Sequence, residues 1–165
     1  MGLPTYEAIA SIELTSTASS VTFSSLDSIA AGFRDLALVM QATTTASTNL
    51  WYTCNGDTGN NYNMLRFSSS GSVITGGYNT SYPFVLFTER GYPDASQPTL
   101  IRFDFLDFAT TDKHKNAFIS TNAYLNGMDR VIGRWGSTSA ITSITIQGNN
   151  AFQSGSKFEL FGIEA

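Results

Sequence analysis

This 165-residue chain has one cysteine, one histidine, few charges and no long apolar run, and each scarcity removes a class of protein. Cys54 has no partner within the chain, so the fold does not depend on an oxidising compartment, and folding in a reducing cytosol is expected. Charged residues make up 13% of the sequence, about half the share in ordinary globular domains. The nine lysines and arginines are spread thinly and the formal net charge is -4. Binding a polyanion requires clustered cations that displace counterions, so nucleic acid is not expected as a partner. No apolar stretch approaches the 18 or so residues of a membrane span, and residues 1–7 show neither the basic nor the apolar part of a secretory signal. Neither a membrane nor secretion is expected.

Hydroxyl groups stand where charges are missing, since serine and threonine together form about a quarter of the chain. Short hydroxyl side chains suit the solvated face of a sheet, and threonine, valine, isoleucine and the aromatics suit its pleated, half-buried face. Stretches of such residues recur between clusters of glycine, asparagine, aspartate, serine and proline, at the spacing of sandwiches and barrels. About twelve strands are predicted by this rule. In the clearest, Ile101, Phe103 and Phe105 share one face and Arg102 and Asp104 the other. Leu106 and Phe108 then change sides, which calls for burial on both faces or a bulge near Phe105. Residues 21–24, 36–40 and 144–146 alternate in the same way. Phe158 to Ile163 switches faces midway and reads as a central strand buried from both sides. No window keeps a 3.6-residue period for three turns. Leu26 to Phe33 is expected to be a loop or a single helical turn, with Asp27 or Ser28 as its cap. The chain is thus expected to be one all-β domain over residues 1–165, an antiparallel β-sandwich of jelly-roll-like type, large enough to bury roughly 70% of its unfolded surface.

Chemistry is sparsely marked. His114 lies in a polar turn, residues 112–116, between two apolar strands, and no Gly-x-Ser-x-Gly elbow supplies a nucleophile for it. Asp104, Asp107 and Asp112 crowd the end of a strand, where acids discourage unwanted pairing. The run from Asn55 to Tyr62 offers hard oxygen ligands but departs from the EF-hand order, and its Asn-Gly and Thr-Gly pairs suit tight turns. No catalytic residue, cofactor or metal ligand is therefore assigned. Trp51, Trp135, Tyr78, Tyr82 and Tyr92 could stack on sugar rings. Of these, Tyr78, Tyr82 and Tyr92 are the candidates for facing a partner or a glycan, because residues 76–98, rich in glycine and proline, read as long loop.

Three islands occur together. The first is Tyr6-Glu7-Ala8-Ile9-Ala10 with the Ser-rich strand from Ser19 to Leu26. The second runs from Asn55 to Tyr62 and on to Leu65-Arg66-Phe67. The third runs from Trp135 to Ile146 and closes with Gly155 to Ile163. In combination they resemble small β-rich virion proteins encoded by tailed bacteriophages and prophages. Cys54 stands where such proteins carry an apolar aromatic, and residues 71–98 match no part of the pattern. The resemblance implies a structural role without catalysis: a decoration, or cement, subunit on the phage head, or a part of a fibre or tail. It implies a homotrimer, contact with the major capsid protein or another virion protein, and a place in the virion after synthesis in the bacterial cytoplasm. With no heptads and no segment outside its one domain, the chain fits a decoration subunit better than a fibre. Two alternatives stay open: a carbohydrate- or receptor-binding module, with its tyrosines exposed in a groove, and a small glycan hydrolase, with two acids across a cleft.

Overall fold

The computed structural model describes residues 5–123 and 127–164. Among these residues the chain forms twelve strands and one short helix: β1 (Tyr6–Glu13), β2 (Ala18–Phe23), α1 (Leu26–Ile29), β3 (Asp35–Ala42), β4 (Leu50–Cys54), β5 (Tyr62–Ser70), β6 (Val73–Tyr82), β7 (Val85–Leu86), β8 (Thr99–Leu106), β9 (Lys115–Ala123), β10 (Gly127–Trp135), β11 (Ile144–Phe152) and β12 (Lys157–Ile163). They make two antiparallel sheets. One has eight strands in the order β1-β12-β3-β8-β9-β10-β5-β6, and the other four in the order β2-β11-β4-β7. The expected all-β sandwich is what the chain forms.

Period-two alternation decides which side chains fill the space between the sheets. Leu36, Leu38 and Met40 of β3, Ile101, Phe103 and Phe105 of β8, and Phe158 and Leu160 of β12 all point inward and are buried. Facing them are Val21 and Phe23 of β2, Leu50 and Tyr52 of β4, and Ile144 and Ile146 of β11. Aromatic rings lock the two layers. Tyr52 meets Phe103 and Phe105 edge-on at centroid distances of 6.0 and 5.3 Å, and Phe87 meets Phe103 at 4.7 Å. At Gly133 the layers approach closely. A Cβ there would lie 2.7 Å from the Tyr52 hydroxyl and 2.7 Å from a methyl of Val85, so only glycine lets β4 and β7 sit down on β10.

Several local expectations need correcting. The phase change after β8 occurs not at Phe105 but at Asp107, whose φ of 49° turns the chain so that Phe108 is buried while Leu106 faces out. β12 is interior to its sheet, between β1 and β3, yet it is not buried on both faces: Lys157 and Glu159 are exposed, while Phe161 and Ile163 are half-buried on the outer side. The single helical turn is present as α1, but neither Asp27 nor Ser28 caps it. Ser25 holds the cap position at φ 58° without a side-chain hydrogen bond. The largest correction concerns residues 76–98. Their first part is the strand β6, so Tyr78 and Tyr82 stand on a sheet edge, and glycine and asparagine there belong to a strand instead of a loop.

Candidate functional site

Among the described residues two acids are buried, Asp129 and Asp35. Asp129 of β10 is fully buried. Its carboxylate accepts hydrogen bonds from the backbone N–H groups of Glu89 (2.8 Å), Arg90 (3.0 Å) and Gly91 (2.7 Å), from the Thr121 hydroxyl at 3.3 Å and from the Ser68 hydroxyl. Five donors saturate the lone pairs of one carboxylate. Gly91 can enter this nest only because it lacks a side chain, since a Cβ would fall 1.9 Å from the Thr121 hydroxyl. The arrangement clamps the segment after β7 onto β9, β10 and β5. Reading along the sequence does not reveal it, for the acid and its donors lie up to 61 positions apart. One signal was present: Asp129 shares the inward parity of Val131 and Trp135.

Two further polar clusters tie the turns together. Asn55 adopts φ 53°; its carboxamide oxygen accepts from the N–H groups of Thr142 (2.8 Å) and Ser143 (3.0 Å), and its amide donates to the Ala140 carbonyl (2.8 Å). Asp57 accepts from Gly59 N–H (2.8 Å), the Asn61 amide (2.9 Å) and the indole N–H of Trp135 (2.7 Å). Burial alone would raise the Asp57 carboxyl, but the bonds from Trp135, Asn61 and Gly59 outweigh it and hold the group below its usual range. The oxygens that suggested a calcium loop are thus engaged by internal donors. Among the described residues no three of His, Cys, Asp and Glu come together as metal ligands. Lys115 is buried at the start of β9, where its ammonium donates to the carbonyls of Thr110 (2.5 Å) and Lys113 (3.0 Å), and desolvation lowers its pKa. Burial pushes the Cys54 thiol up, which leaves it protonated and unreactive at neutral pH. His114 is held by the Arg134 guanidinium, and Asp104 and Asp107 pair with Arg102 (2.7 Å) and Lys113 (2.9 Å).

The outer face of the large sheet is different in kind. Strand register lines up Phe118 of β9, Ile132 of β10, Leu65 of β5 and Tyr78 of β6 in one row, each directly opposite the next. All four are exposed, from 41% at Ile132 to 78% at Tyr78. Phe67, Met128 and Ile74 extend the apolar area on one side, with Arg130 among them, and Arg134 lies on the other side beside Asn63 and Asn116. Three shallow depressions mark this face. Phe67, Phe118 and Arg130 line one of about 300 Å³; Leu65, Tyr78 and Arg134 line one of about 270 Å³; Tyr6, Val39, Arg102 and Phe161 line one of about 330 Å³.

The three candidate tyrosines are not brought together. Tyr78 belongs to the apolar row. Tyr82 packs edge-on against Phe84 at 5.7 Å. Tyr92 lines a separate depression of about 330 Å³ with Thr48, Asn49 and Asn150. Of the tryptophans, Trp135 is buried and Trp51 stacks on Phe84 at 5.0 Å. Sequence reasoning found Tyr78 but did not single out Phe118, Ile132 and Leu65, apolar strand residues that stand on the outward parity.

No family model and no curated protein matches the chain. Among solved structures it is similar to a mutant of alginate lyase Aly36B in complex with an alginate trisaccharide, at 6% identity and a TM-score of 0.37, over 93% of this chain and 80% of that one. A likeness of that degree carries no functional argument. Among the described residues no helix is long and apolar enough to cross a membrane.

Replacing Asp129 by asparagine puts an amide against three backbone N–H donors. Asp129→Asn is expected to cost about 3 kcal/mol in urea denaturation, the penalty of breaking a buried charged network; a change below the error of the method would contradict the clamp. Asp57 gives a pH dependence of known sign. Because its folded pKa lies below its unfolded one, its contribution is present above about pH 4 and is lost as pH falls through the folded value. Asp57→Asn should therefore be less stable than the parent at neutral pH, with the gap narrowing below about pH 4 in thermal scans.

Proposed function

We propose that this protein is a structural subunit of a tailed-phage particle, a homo-oligomeric decoration protein that binds the outside of the head through the outer face of its large sheet. The observation that carries the reading is the in-register row Phe118, Ile132, Leu65 and Tyr78, flanked by Phe67, Met128 and Ile74. An exposed apolar area of that kind, rimmed by polar groups, marks an interaction surface. Arg130 and Arg134 among the apolar groups suit a protein partner, since arginine and aromatics are favoured at interfaces. Three acids support the same reading, because buried Asp129 and Asp35 and half-buried Asp57 each spend their oxygens on internal donors: Asp35 accepts from Arg34 at 2.7 Å and from Asp107 N–H at 2.7 Å. The partner would be the major capsid protein or another virion protein. The mechanism is linkage: a subunit that binds only the assembled shell raises the free energy needed to open it.

A second reading has one observation in its favour. The depression beside Tyr78 is lined by Asn63, Asn79, Asn116 and Arg134, an aromatic face with amide and guanidinium donors of the kind that hold a glycan. It would make the protein a carbohydrate- or receptor-binding module of a fibre.

Co-sedimentation with emptied heads of the encoding phage separates these readings. The parent should pellet with heads, and the double variant Phe118→Ser/Ile132→Ser should bind at least about tenfold more weakly, with unchanged far-ultraviolet circular dichroism. Pelleting that the double variant leaves intact would overturn the proposed face. Retention on host polysaccharide that Tyr78→Ala abolishes, without head binding, would establish the second reading instead.

A further inference from the structure

Sheet edges expose unpaired backbone N–H and C=O groups, and proteins blunt them with charge, proline, bulges or brevity. Four edges exist among the described strands. β1 carries Glu7 and Glu13 and a register shift between Ala8 and Ala10. β7 has two residues. β2 has six, and its large side chains, Val21 and Phe23, are buried. β6 has ten residues, no charge and no proline, and the chain carries no charged residue at all between Arg66 and Glu89. Its Val73, Ile74 and Tyr78 are 59%, 76% and 78% exposed. Between Val73 and Asn79 this edge has no charge, proline or bulge; its register shift lies beyond Asn79.

We infer that β6 pairs with β6 of a second copy, antiparallel and centred on Gly76, joining two large sheets edge to edge. The register follows from the strand itself. Opposite β5, Ile74 pairs with Ser69, Gly76 with Phe67 and Tyr78 with Leu65, so all three face outward. The regular edge ends at the turn before Val73 and at the irregularity past Asn79, where Ser81 takes φ 56°; Val73–Asn79 has Gly76 at its midpoint. Pairing about that residue sets Ile74 of each copy against Tyr78 of the other, a β-branched residue against an aromatic, which is a favoured cross-strand pair. Centring on Gly77 or Thr75 instead would face each of them with glycine, serine or threonine. In the chosen register the two most exposed large apolar side chains among the described residues cover one another, and the row Ile132, Leu65, Tyr78 runs on into Ile74 of the second copy.

A neutral edge also selects its partner by charge. A second β6 brings no charge to the junction, whereas β1 would bring two glutamates. The contact is isologous and closes at two copies, where the resemblance to virion proteins implies three. It rests on the edge geometry and not on the phage reading, so its failure and that of the phage reading are separate events: solution mass tests the first, head binding the second.

Sedimentation velocity over a concentration series tests it. The parent should pass from monomer to dimer, and Ile74→Lys should weaken that association by about tenfold or more, since the symmetric contact loses two pairs. The double variant Ile74→Lys/Tyr78→Glu should restore dimers, because in this register each introduced ammonium meets the introduced carboxylate of the other copy. Both positions are largely solvent-exposed, so circular dichroism should show the fold retained. A parent that stays monomeric, a trimer, a dimer indifferent to Ile74→Lys, or a double variant that fails to re-associate would each overturn the pairing.

Discussion

An eight-stranded sheet cannot be covered by a four-stranded one. Strands lie about 4.8 Å apart, so the larger layer is about twice as wide as the smaller, and everything particular to this protein follows from how the excess is managed. The centre, over β8, is closed by Tyr52 meeting Phe105 and Phe87 meeting Phe103 edge-on. Toward β12, Phe33 lies against Gly162, where a Cβ would come within 2.3 Å of its ring. Past β10 apolar cover continues only over one end of β5, where Tyr62 and Met64 are buried in the core and the Tyr62 hydroxyl accepts from Cys54 N–H of β4. Over the other end the chain adds hydrogen bonds, with Asp129 drawing residues 89–91 down onto the sheet. Beyond that clamp β6 is left with Val73 and Thr75 open on the inner side and Ile74 and Tyr78 open on the outer.

Much of the layer structure was legible in the sequence because it is local. The alternation of Ile101, Phe103 and Phe105 with Arg102 and Asp104 gives the strand, its faces and its direction of burial at once. Two parts were not legible, for physical reasons. Gly76, Gly77, Asn79 and Ser81 have turn-forming chemistry, and only hydrogen bonding to β5 makes them a strand. On β9 and β10, Phe118 and Ile132 look like core, but the inward parity belongs to Ala117, Ile119 and Val131, so the larger side chains stand outside. A strand with apolar residues on both faces has no sequence signal that says which face is wet.

The site has the same character. Its residues stand on strands, in register, and together form a surface. Polar side chains are used here to hold turns: Asp129 for residues 89–91, Asn55 and Asp57 for the β4 to β5 crossing, Lys115 for the β8 to β9 connection. On the outer sheet around β5, β6, β9 and β10 apolar groups and hydroxyls dominate, with Arg130 and Arg134 among them. That surface suits docking against another protein far better than it suits free solution.

The most direct test of this account is amide hydrogen exchange of the intact protein at low and high concentration. Dilute, the outward-facing amides of Val73–Asn79 should exchange fast, as expected of an edge with little buried contact. At high concentration they should become protected, and β1, the charged and bulged edge at the other end of the sheet, should not change. Exchange on β6 that is the same at both concentrations would contradict the claim that the uncovered part of the large sheet is built for assembly.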